Sequence, residues 1–156
     1  MSVKTIVIGL GNPILGDDGV GWQIAQQAQQ RSDFPPDIEV DLLALGGISL
    51  MERLIGYEKA ILIDSLVTHQ NPIGSVLCFP LSQLPNQALG HMGSSHDTTL
   101  QNALQVGRDL GAQLPDEITI VAVEAQEVFD FSEQLSPEIA AAVPKAVQTV
   151  INLLGG

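Results

Sequence analysis

The stretch IVIGLGNPILGDDGVG, Ile6 to Gly21, decides how the rest of the chain is read. It opens on an aliphatic run and turns at Gly-Leu-Gly-Asn-Pro. It then reaches two adjacent acids, Asp17 and Asp18, and enters the three-and-four spacing of Val20, Ile24 and Ala28. A β-branched run bounded by Gly and Pro reads as a buried strand, and the spacing after it as one face of a helix. The stretch is therefore a strand–turn–helix unit. A dinucleotide cradle is disfavoured, because that fingerprint needs a glycine three residues after Gly11 and Ile14 stands there.

Similar units continue outward. Short apolar runs at Thr5 to Ile8, Ile38 to Leu43, Ala60 to Ile63, Ser75 to Phe79 and Ile118 to Val123 predict five buried strands. Between them, Leu50, Met51, Leu54 and Ile55, and then Leu100, Ala103, Leu104, Gly107 and Leu110, each make one apolar helix face. Ser49 and Glu52 have the spacing of a capping box. Ser136-Pro137-Glu138 supplies a cap, a first-turn proline and a first-turn acid for a closing helix through Ile139, Val143, Val147, Val150, Ile151 and Leu154. Pro144 inside that helix predicts a kink or break near Val143. The alternation predicts an α/β three-layer sandwich, a twisted and mostly parallel sheet of about five strands flanked by helices, in one domain over residues 1–156. In such sheets ligands gather at the carboxyl ends of the strands.

Composition narrows the functions that such a fold could serve. The chain has 156 residues, 45% hydrophobic and 4% aromatic, so its core is expected to be mainly aliphatic. Eighteen acids against six Lys and Arg give a net charge of −12, which repels phosphate backbones and anionic membrane surfaces. Neither nucleic acid nor membrane is expected as a partner. One cysteine, no signal pattern and no long apolar run point to a cytoplasmic protein, and a monomer is expected.

Three polar positions stand at places where this fold puts chemistry. Of Asp17 and Asp18, one can cap the helix beginning near Gly19 while the other serves as ligand or base. Asp64 closes the otherwise apolar run AILID at a strand's end. In SSHDTTLQNAL, Ser94 or Ser95 can cap a helix, with His96 and Asp97 in its first turn. Two carboxylates and an imidazole on one sheet edge suit a borderline divalent metal. His69 and His91 compete with His96 for the imidazole role, but no helix orients either. Cys78 in the strand-like GSVLCF reads as core filling rather than a nucleophile. Phe129 and Phe131, in an acidic run, either belong to a solvated loop or form an apolar patch for a partner. The sequence contains no GxSxG, HExxH or P-loop.

Taken in order, GLGNPILGDDGVG from Gly9, LGGISLMERL from Leu45, ILID ending at Asp64, SSHDTTLQNAL from Ser94 and LSPEIAAAVPKAV from Leu135 resemble the hydrogenase maturation endopeptidases. That family trims the C-terminal extension from the nickel-bearing large subunit of nickel-iron hydrogenases. The resemblance implies that Asp18, Asp64 and His96 are both the nickel ligands and the catalytic residues, and that Asn12, Gly46 and Gly47 contact substrate. Many relatives carry an acid just before the Gly-Gly turn, where this chain has Leu45. The resemblance further implies that the nickel arrives with the hydrogenase large-subunit precursor and is not resident. Two rival functions share some of these features. A peptidyl-tRNA hydrolase has a similar GLGNP turn, but would need a basic surface and an early histidine; this chain has a charge of −12 and no histidine before His69. A non-catalytic nickel carrier would use the same three ligands.

Overall fold

The computed structural model describes residues 4–44, 46–84, 92, 99–126 and 131–155. In chain order it runs β1 (Thr5–Leu10), a 3-10 turn (Gly16–Gly19), α1 (Val20–Gln29), β2 (Glu39–Leu43), α2 (Gly47–Leu54) and β3 (Lys59–Leu66). There follow β4 (Val76–Pro80), a short 3-10 turn (Leu81–Gln83), α3 (Leu100–Asp109), β5 (Glu117–Glu124) and α4 (Pro137–Gly155). The sheet order is β2-β1-β3-β5-β4. All pairings are parallel except β4 with β5, which is antiparallel. The layered α/β architecture read from the alternation is the one observed.

Each face of the sheet buries its own core. Ile6, Ile8, Leu62 and Ile120 point to one side, against Leu50 of α2 and Leu100 and Leu104 of α3. Val7, Ile61, Ile63 and Val121 point to the other, against Ile24 of α1 and Ile139, Val143 and Val147 of α4. Covered on both faces, β1, β3 and β5 have almost no polar side of their own, which is why their sequences read as continuous apolar runs. The expectation of five buried strands fails at the edges. β2 and β4 are half-covered, and Cys78 on β4 is exposed rather than core filling. Local withdrawal of water still pushes its thiol pKa up.

The opening unit owes its shape to two glycines. A Cβ on Gly21 would lie 2.3 Å from the Leu10 carbonyl oxygen and 2.5 Å from that of Ile63, so only glycine lets α1 settle onto the ends of β1 and β3. At Gly11 a Cβ would come within 2.1 Å of the Asp18 carbonyl oxygen, so the turn after β1 can fold back against the acid pair.

Several helix boundaries differ from expectation. α2 begins at Gly47 with Gly46 as its N-cap, so Ser49 lies inside the first turn and no capping box forms. α3 begins at Leu100, capped by the Thr99 hydroxyl, which accepts from the Asn102 N–H at 3.2 Å. Ser94, Ser95 and His96, read from the sequence as a cap and a first-turn residue, lie outside the described residues. α4 runs from Pro137 to Gly155 without a break at Val143. Pro144 and Ala140 are both exposed, so the Ala140 carbonyl that loses its helical donor faces water. No helix among the described residues is long and apolar enough to cross a membrane.

Candidate active site

β1 and β3 are paired neighbours, and their carboxyl ends bring the opening motif beside Asp64. Asp64 is fully buried, and its Oδ1 accepts from the Ser65 N–H at 2.8 Å. The Ser65 hydroxyl lies 3.4 Å from Asp18 Oδ1, to which it donates. Asp18 Oδ2 accepts from the Asn12 N–H at 2.9 Å, and Asn12 Oδ1 accepts from the Ile14 N–H at 3.2 Å. One residue, Ser65, thus stands between the two carboxylates, and the turn at Asn12 aims the first of them. Two carboxylates held by one residue, Asp64 by its backbone N–H and Asp18 by its hydroxyl, make an oxygen-donor pair suited to a cation. His96 and His91, with Phe129, lie outside the described residues.

Asp17 behaves differently from its neighbour. Neither acid caps α1, whose N-cap is Gly19 with no side-chain bond. The Asp17 carboxylate turns away from Asp18 and accepts from the Ser136 N–H at 2.6 Å and the Ser136 hydroxyl at 2.8 Å, across 119 residues of sequence. Beside it, Gly16 N–H donates to the Ser132 carbonyl at 2.6 Å and Ser132 N–H to the Ile14 carbonyl at 2.8 Å. The loop that carries Asp18 is therefore clamped to the segment ahead of α4.

Gly46 and Gly47 form the entry to α2, and Gly47 has φ 52°, a backbone region that favours glycine. His69 also has positive φ, 60°, and its backbone N–H donates to Glu124 at 3.3 Å. Glu124 was not foreseen. It is fully buried at the carboxyl end of β5, and accepts from the Thr68 N–H at 2.8 Å, the Thr68 hydroxyl and the Asn71 side chain as well. Burial raises its pKa, but these donors to the carboxylate outweigh that and leave it below the ordinary value. The signal that could have found it is the one that found Asp64, a lone acid closing the apolar run ITIVAVE.

The family model for hydrogenase maturation protease (HycI) matches residues 22–153. The chain belongs to the hydrogenase maturation proteases. Relatives extend the match over the opening motif. This maturation protease is 24% identical over 152 residues to the hydrogenase 2 maturation protease of Escherichia coli, covering 97% of this chain and 91% of that one. To the hydrogenase expression/formation protein HoxM of Cupriavidus necator it is 24% identical, covering 96% and 73%. Among solved structures, the E. coli maturating endopeptidase HybD superposes with a TM-score of 0.77 at 24% identity, over 97% of this chain and 91% of that one. A hydrogenase 2 maturation peptidase from a Thaumarchaeota archaeon superposes at 0.68 with 29% identity, over 97% and 98%. The strand order and the two helical layers thus belong to this family's fold.

Proposed function

We propose that this maturation protease removes the C-terminal extension of the nickel-loaded large-subunit precursor of a nickel-iron hydrogenase, with Asp18, Asp64 and His96 meeting the nickel that the substrate carries. The observation that carries the reading is the Asp18–Ser65–Asp64 arrangement at the carboxyl edge of the sheet. Carboxylate oxygens and an imidazole nitrogen suit a borderline ion such as nickel, and three protein donors leave positions for the substrate's own ligands. Borrowed from the substrate, the metal would report that loading is complete and would polarise the bond to be cut. Asp18 and Asp64 hold the ion's charge, and the Asn12 turn keeps Asp18 aimed. Gly46 and Gly47 let the substrate chain approach the α2 entry closely.

The test is to incubate the purified protein with precursor that does or does not contain nickel and follow the precursor's mass. Loss of a C-terminal fragment from the loaded form alone is expected. Nickel passing to or from the protein with no mass loss would instead establish a carrier. Cleavage of both forms alike would overturn nickel recognition.

A further inference from the structure

The clamp between the opening loop and the segment before α4 builds a surface with no part in the chemistry above. Leu15 and Ser132 form a parallel bridge, which sets Ile14 and Phe131 in adjacent register. Both are exposed, Ile14 by 47% and Phe131 by 79%, unusual for side chains of this kind that stand together. A groove of about 530 Å³ along α1 includes Ile14 in its lining, together with Pro13, Trp22, Gln23, Gln27 and Gln30. Although the whole chain carries −12, Glu133 is the groove's one charged lining residue among those described.

We infer that this groove, with Phe131 in register beside its lining residue Ile14, receives an extended, uncharged segment of the precursor chain. The inference rests on the proposed protease function and adds to it where the substrate is held. Each glutamine side chain both donates and accepts, which matches the alternating N–H and C=O groups of an extended backbone, whereas a charged segment would be desolvated without a partner. Ile14 and Trp22 in the groove, with Phe131 in register beside Ile14, supply the apolar anchors that dominate such contacts. The surface is continuous with the site, since Ile14 and Gly16 lie in the loop that bears Asp18, and that loop is bonded to Ser132. A bound segment would therefore lead directly to the acid pair.

Steady-state cleavage of loaded precursor by the native protein and by Phe131→Ser, Ile14→Ser and Gln27→Glu tests this. All three positions are at the surface, so the melting temperature should stay within experimental scatter of native. Each variant should raise KM about tenfold with kcat held within a factor of two, as expected for lost uniform binding. If native protein cleaves and the variants show native KM, the groove is not the docking site, while the proposed function stands. If native protein does not cleave at all, the proposed function itself fails. Gel filtration distinguishes a further outcome: native protein that self-associates through this patch, and Phe131→Ser that does not, would make the groove an interface between copies and overturn the inference.

Discussion

Asp18 and Asp17 are neighbours in sequence with opposite duties, one turned toward Ser65 and the other toward Ser136. In Asp18→Asn, Asp64→Asn and His96→Ala, precursor cleavage measured by mass is expected to fall by at least about 100-fold, since under the proposed function each removes a donor to the substrate's metal. Glu124 makes a prediction of another kind. Its pKa is lowered in the folded state, so its contribution to stability is full above the unfolded value, 4.5, and is lost as pH falls below it. The urea midpoint of native protein should therefore drop more steeply below that pH than the midpoint of Glu124→Gln, which has no carboxylate to protonate. Asp64 was legible in the sequence because it closes the apolar run Ala60 to Ile63, although β3 itself continues to Leu66. Glu124 closes such a run too, but its donors, Thr68, His69 and Asn71, come from a loop far away in sequence, and nothing local marks their convergence.

Elements were legible where one physical pattern dominates. β1, β3 and β5 are covered on both faces and could not be mistaken, whereas the half-covered β2 and β4 were recognised as strands but not as edges, since edge position is decided by neighbours. Helix starts were harder: the Ser49–Glu52 spacing imitates a capping box, yet the positive φ that Gly47 adopts lets α2 begin earlier. Two predictions belong to this scale. Gly21→Ala drives a methyl group into the carbonyls of Leu10 and Ile63, and denaturant unfolding should show a loss of about 1–3 kcal/mol as α1 is pushed from the sheet. Pro144→Ala restores a helical N–H on the solvent side of α4. It should add about 1–2 kcal/mol, the loss of proline's restraint on the unfolded chain offsetting part of the gain.

At the scale of the molecule, the bonds from Asp17 to Ser136 join the first turn of the fold to the start of its last helix. Sequence patterning could not show this, because neither residue carries a signal that names its partner 119 positions away. Asp17→Asn keeps the shape but weakens two charge-assisted bonds, at a cost of about 1–3 kcal/mol in chemical denaturation, and loosens the loop that holds Asp18. Cleavage by this variant should fall less than in Asp18→Asn, and Ser136→Ala, which keeps the backbone donor, should fall less still. There is a consequence in time as well. A ribosome emits Asp17 early and Ser136 late, so the acid pair exists as sequence long before it exists as geometry. Until Ser136 is made, the loop that bears Asp18 lacks this anchor, and the clamp can close only after the five described strands of the sheet exist as chain.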